Sequence, residues 1–177
     1  MTKARTTPRL LLISALLLAG ALPALAQHGF TIITGKEFDG ALPTQFYLEG
    51  NAIPTEKRNA VLVHTAAGKR ALFALLDTSG YSSAIQQKYE GMIITEGRLS
   101  VCGHVLGAGS YGFGMRRPAP GKKGTSTFML YNQAGAGLGG CTITENLAKQ
   151  QPRPLEVVTE SNGLAQLYLG RYAVALR

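Results

Sequence analysis

The chain has 177 residues, 18 Lys and Arg against 10 Asp and Glu, a formal net charge of +8 and no tryptophan. That length builds one domain with a sizeable core and leaves little for a second. The charge is spread without a clustered stripe or a recognition motif, so a nucleic-acid partner is not expected.

Residues 1–26 read as an export signal. Lys3, Arg5 and Arg9 form the basic start, Leu10 to Leu18 the apolar stretch, and Ala24-Leu25-Ala26 an A-x-A cleavage site. The apolar stretch is too short for a comfortable membrane span, and no later stretch reaches about 18 uninterrupted apolar residues, so no transmembrane segment is expected after signal removal. The expected location is periplasmic or secreted, with residues 27–177 as a single β-domain. Three of the cations leave with the signal, so 15 Lys and Arg against 10 Asp and Glu leave a mature charge of +5. Two cysteines in an exported chain predict one disulfide, Cys102 to Cys141.

Beyond the signal, short apolar runs rich in Val, Ile, Thr, Tyr and Phe alternate with glycine, and no window shows sustained helical periodicity. The fold class is therefore all-β: a single antiparallel β-sandwich or small barrel of about nine to eleven short strands. Phe30 to Thr34 and Thr44 to Leu48 are the first two strands, and Asn51 to Arg58, with Pro54, is a polar loop. Asn59 to Ala66 and Arg70 to Asp77 form a hairpin around Gly68. The second arm is apolar on both faces and belongs in the middle of a sheet. Thr78 to Lys88 breaks the pattern, with Ser82 or Ser83 capping one helical turn.

The stretch Tyr89 to Gly114 reads as a hairpin turning at Glu96-Gly97, followed by a glycine-built corner. That register pairs Ile94 with Leu99 and Met92 with Val101 on an aliphatic face, and Tyr89 with His104 on a mixed one. In the next strand Tyr111, Phe113 and Met115 alternate with Gly112 and Gly114, which permit close approach of another segment. Arg117 to Gly124 is a polar loop, Thr125 to Asn132 a strand, and Ala134 to Gly140 a flexible loop leading into Cys141. The chain ends with Leu155 to Glu160, a turn at Ser161-Asn162-Gly163, and a last arm that Gly170 and Arg171 interrupt.

Several motifs fail on context. Gly107 to Gly112 and Gly135 to Gly140 both match G-x-G-x-x-G, but each runs into a strand pattern, whereas a dinucleotide site needs a helix there. Asp77-Thr78-Ser79-Gly80 resembles the aspartic-protease turn, yet a serine separates Thr78 from Gly80 and no second copy exists; turn hydrogen bonds explain it. His28, if it were the mature N-terminus, would chelate copper with His64 or His104, but cleavage after Ala26 is favoured. No cluster has zinc-ligand spacing. Neither a cofactor nor a metal is expected, and no catalytic residue is assigned.

Tyr89, His104, Tyr111, Arg116 and Arg117 are the candidate binding residues. Arg116, Arg117, Lys122 and Lys123 gather positive charge around one loop, suited to anionic lipid, polysaccharide or a partner protein. The segment Leu106 to Phe113 resembles the Leu-x-x-Gly-x-Tyr corner of extracellular β-sandwiches, in which a tyrosine hydroxyl is tied back to upstream backbone. The run DTSGYSSAIQQKYEGMIITE, with AGSYGFG and LYLGRYAVAL, resembles exported β-rich proteins of soil bacteria. That resemblance implies no chemistry and transfers no residue role. The function expected is a non-catalytic exported β-domain binding a small ligand, a glycan or an envelope partner. The alternative is an exported hydrolase or copper enzyme whose site is assembled from distant residues.

Overall fold

The structure, a computed structural model, describes residues 29–118, 125–160 and 163–177. The expected export signal, His28, Lys122, Lys123 and the expected turn residues Ser161 and Asn162 lie outside the described residues. Thirteen strands and two short helices follow one another among the described residues. They are β1 (Thr31–Ile33), α1 (Lys36–Ala41), β2 (Gln45–Leu48), β3 (Asn51–His64), β4 (Arg70–Leu76), α2 (Ser83–Lys88), β5 (Gly91–Thr95) and β6 (Leu99–Val101). After these come β7 (His104–Leu106), β8 (Gly109–Arg116), β9 (Ser126–Asn132), β10 (Gly137–Ile143), β11 (Leu155–Thr159), β12 (Ala165–Leu169) and β13 (Tyr172–Leu176).

All strand pairs are antiparallel. One sheet runs β1-β3-β4-β5-β8-β9-β10, with β2 paired on β3; the other runs β11-β12-β13-β6-β7. The fold is thus a sandwich of two open sheets, with more strands than the glycine punctuation suggests. Its main core holds Phe73, Ile93, Phe113 and Phe128 from the first sheet against Leu99, Val101, Leu167, Val174 and Leu176 from the second. Phe113 and Phe128 stack there at 5.4 Å between centroids.

A second core lies on the outer face of the large sheet. Leu62, Leu72, Ala74 and Met92 meet Phe46, Leu48, Ile53, Ile85 and Tyr89. β4 therefore serves both layers: Ala71 and Phe73 face the sandwich, and Leu72, Ala74 and Leu76 face the covering layer. Its two apolar faces match the expected central position, and the β3–β4 hairpin turns at Gly68 with φ 69°. α2 starts as expected, with Ser82 Oγ accepting from Ile85 N at 3.5 Å.

Three expectations are corrected. Gly91 to Thr95 does not form a hairpin with Leu99 to Val101. β5 pairs with β4 and β8, whereas β6 crosses to the other sheet and pairs with β7 and β13. The reason is visible at Gly91, where an added Cβ would lie 2.2 Å from the Phe113 ring; that glycine is shaped for β8 as its neighbour. The chain leaves the sheet where the Arg70 guanidinium grips Glu96. Met92 and Ile94 then face the outer core, while Leu99 and Val101 fill the sandwich.

Residues 51–58 are strand, not loop. Glu49 (φ 50°) and Gly50 (φ 78°) form a two-residue turn between Leu48 and Asn51, a conformation that matches the twist of a tight hairpin. This hairpin buries Phe46, Leu48 and Ile53, and Pro54 falls at the last pairing position, opposite Gln45.

Nor is the glycine-rich 137–140 stretch a loop. It opens β10, with an irregularity between Gly137 and Gly139. An added Cβ on Gly139 would come within 2.4 Å of the His104 ring, and one on Gly140 within 2.2 Å of the Phe128 carbonyl oxygen. These glycines are packing positions. Cys102 and Cys141 are bonded, with Cα atoms 5.8 Å apart, and staple the β6–β7 turn to β10, joining the two sheets along one side.

Candidate functional site

The site is built around the C-terminal end of α2. Gly112 and Gly114 of β8 present bare backbone to the covering layer. An added Cβ would stand 2.8 Å from the Tyr89 ring at Gly112 and 2.0 Å from the Lys88 carbonyl oxygen at Gly114. The helix end consequently lies directly on the sheet. Tyr89, 1% exposed, packs edge-on to Tyr131 at 5.3 Å and 75°.

The Tyr89 hydroxyl donates to Glu49 Oε1 at 2.7 Å. The Lys88 ammonium donates to the same oxygen and, at 2.7 Å, to the Gly135 carbonyl. It also stands 5.2 Å and 5.1 Å from the centroids of Tyr89 and Tyr131. Glu49 N donates to the Gln133 carbonyl at 2.8 Å. Glu49 and Lys88 together therefore fasten the β2–β3 turn, the end of α2 and the β9–β10 turn. Hydrogen bonds from Lys88 and then Tyr89 hold the Glu49 carboxyl below its ordinary range. Burial, reinforced by Glu49, pushes the Tyr89 hydroxyl above its ordinary range. Tyr89 stays neutral and Glu49 ionised, an arrangement suited to fastening rather than to proton transfer.

Beside this fastening lie two grooves. The first, about 730 Å³, runs past Gln87, Lys88, Met115, Arg116 and Tyr131. The second, about 680 Å³, lies at the open end of the sandwich between Leu75, Pro152, Pro154, Glu145, Arg171 and Tyr172. Both are bounded by Gln86, Glu90 and Arg117. The Arg117 guanidinium forks onto both Glu90 carboxylate oxygens and lies 5.9 Å from the Tyr172 ring centroid. Such a fork is the geometry in which arginine recognises a carboxylate. Gln86 Nε2 donates to the Tyr81 carbonyl at 2.8 Å, which holds the helix start.

Of the expected residues, Tyr89, Arg116 and Arg117 come together here. His104 and Tyr111 do not. His104 Nε2 sits 3.1 Å from the Gly140 carbonyl oxygen, against the edge of β10, so it does not face Tyr89; the missing β5–β6 pairing removes that contact. Tyr111 donates its hydroxyl to the Gly107 carbonyl at 3.1 Å. That bond is the tie-back of the corner that Leu106 to Phe113 resembles, and it makes Tyr111 architectural.

The Asp77 turn and both glycine-rich motifs have plain local structure. Asp77 Oδ1 accepts from Ser79 N at 3.1 Å and Ser79 Oγ at 2.6 Å, a local turn. Both G-x-G-x-x-G matches open strands. His64 lies at the surface, 4.0 Å from Glu37. Among the described residues, no group of three or more His, Cys, Asp or Glu is placed to hold a metal, and no helix is long and apolar enough to cross a membrane.

Glu49, Lys88, Glu90 and Gln87 were not legible as site residues. The nearest signal is Glu49-Gly50, a turn pair between two apolar runs that fixes the Glu49 backbone. Comparison with protein-family models, curated proteins and solved structures finds no match.

Proposed function

We propose that the chain is an exported, non-catalytic binding domain, working in the periplasm or outside the cell, that takes a glycan along the cleft formed by the two grooves. The observation that carries this reading is the shared wall: Glu90 and Arg117 border both grooves, so a linear ligand can run from Tyr131 to Tyr172 past one charged pair. Tyrosine at each end and charged side chains between them suit a hydroxyl-rich chain, which stacks on rings and exchanges hydrogen bonds with planar polar groups. The Cys102–Cys141 bond and the leader pattern support an oxidising compartment. The likeness to exported proteins of soil bacteria belongs to the same reading.

The test is a glycan array probed with labelled residues 27–177 and with a Gln87→Trp variant. Gln87 is exposed on α2, so a tryptophan there fills the groove without disturbing the core. Binding to a subset of glycans, lost in the variant, supports the proposal. Binding that the variant leaves intact contradicts it.

One observation favours a second reading, an exported hydrolase: Glu56, Glu90 and Glu145 line the same groove. Arginines accompany two of them, with Arg117 on Glu90 and Arg171 3.7 Å from Glu145, so both carboxylates already have a cationic partner. Release of reducing ends from a glycan, abolished by Glu90→Gln or Glu145→Gln, would establish the hydrolase and remove the binding-only reading.

A further inference from the structure

The first groove has a marked imbalance of hydrogen-bonding capacity. Lys88, Arg116 and Arg117 bring three cations, while Glu90 on its wall and Glu49 beneath Lys88 bring two carboxylates. Lys88 is committed to Glu49 and Gly135, and Arg117 is forked onto Glu90. Arg116 is exposed at the end of β8 and, among the described residues, has no ion-pair partner. Its five N–H donors, with those Arg117 leaves unused and the Gln87 amide, face a groove with few acceptors. Exposed donors are hydrated in the free protein, and an acceptor-rich ligand is the kind that can take the place of that water.

Apolar lining is sparse here: Ala84, Met115 and Tyr131 offer no pocket for a peptide's apolar anchor. The groove also lies over β8 and β9, whose backbones are paired on both sides within the sheet, so no free edge is present for a peptide strand to extend. At about 730 Å³, the groove has the size range of organic-ligand sites and far exceeds an inorganic anion.

We propose that this groove binds acidic sugars, with Arg116 taking the carboxylate of a uronate residue and Gln87 and Gln86 Oε1 exchanging hydrogen bonds with its hydroxyls. The neighbouring Arg117–Glu90 fork is a built-in copy of the same guanidinium–carboxylate contact. Lys88 is held against Glu49 and does not touch the ligand. This inference rests on the binding-domain reading and names the ligand class for one half of its cleft.

Isothermal titration of residues 27–177 with a trimer of galacturonate, with its fully methyl-esterified form and with inorganic sulfate tests it. The acid trimer is expected to bind, and the ester and Arg116→Gln each to weaken binding by about tenfold, the worth of one charge-assisted contact. Raising salt from about 0.05 to 0.5 M should weaken the acid trimer further, since exposed charge contacts are screened. Circular dichroism of Arg116→Gln confirms that the fold is retained, and the salt series reads the same contact in the unaltered protein. Equal binding of acid and ester overturns the acidic class and leaves a binding domain standing. Sulfate that binds as tightly as the trimer overturns the sugar. If neither trimer binds, the inference falls, while the glycan array decides the parent reading separately.

Discussion

Tyr89 lies on Gly112: a Cβ on that glycine would be 2.8 Å from the Tyr89 ring and 3.0 Å from Leu48. Two residues further along the same face of β8, Gly114 admits the Lys88 backbone itself. Two glycines in β8 thus set how closely α2 approaches the sheet, and with it the depth of the first groove.

Substituting these glycines should separate by what they touch. Gly114→Ala forces a backbone carbonyl to move and is expected to cost about 1–3 kcal/mol, the usual penalty for overpacking. Gly112→Ala pushes on side chains that can rotate slightly, and should cost less. Gly137→Ala meets nothing within 4 Å and should leave stability within about 0.5 kcal/mol. Urea unfolding of the three variants checks the order.

Removing the Tyr89 hydroxyl tests the fastening. Tyr89→Phe keeps the ring in the outer core and deletes the 2.7 Å bond to Glu49. A hydrogen bond to a charged acceptor is worth about 1.5–3 kcal/mol when buried. Glu49 keeps its Lys88 partner and is part-exposed, so the expected loss is about 1 kcal/mol, measured by chemical denaturation.

The same pair gives the stability profile two limbs. Lys88 and Tyr89 depress the Glu49 carboxyl, so its contribution is present above the ordinary glutamate value near ~4.3 and fades as pH falls through the lowered folded value. Glu96, held by Arg70, and Asp77, held by Ser79, are depressed as well and add to that acid limb. Burial raises Tyr89, so its contribution is present below the ordinary tyrosine value near ~10 and fades as pH rises toward the folded value. Glu49→Gln should flatten part of the acid limb, and Tyr89→Phe the alkaline limb. Denaturation midpoints across pH measure both.

Part of the sheet pattern was readable from turn chemistry, although the Glu49-Gly50 turn was not. Gly68 announces the β3–β4 hairpin, Gly170 divides β12 from β13, and Ser82 caps α2. Pairing across the sandwich was not readable. Glu96-Gly97 looks like a hairpin turn because nothing local reveals that the empty side of Gly91 belongs to Phe113. Likewise Gly139 and Gly140 read as flexible until the His104 ring and the Phe128 carbonyl occupy the space beside them. The site followed the same division. Arg116 and Arg117 stood out by charge, whereas Glu49 and Glu90 acquire meaning only when α2 is laid on β8 and two distant turns meet beneath it.

The disulfide closes a span of 39 residues and ties β10 to the opposite sheet. In the chain-entropy description a loop of that length stabilises by about 4 kcal/mol, subject to compensation in the native state. Cys102→Ala with Cys141→Ala should lower the denaturation midpoint accordingly. Non-reducing peptide mapping of protein produced in an oxidising compartment should find the two cysteine peptides linked.

Chemical-shift mapping of isotopically labelled residues 27–177, titrated with galacturonate trimer, tests the binding cleft most directly. Perturbations centred on Gln87, Lys88, Glu90, Arg116 and Arg117, and diminished in Gln87→Trp, are the predicted result. Perturbations centred on the β3–β4 turn around Gly68 and His64, with the α2 residues unmoved, would contradict it.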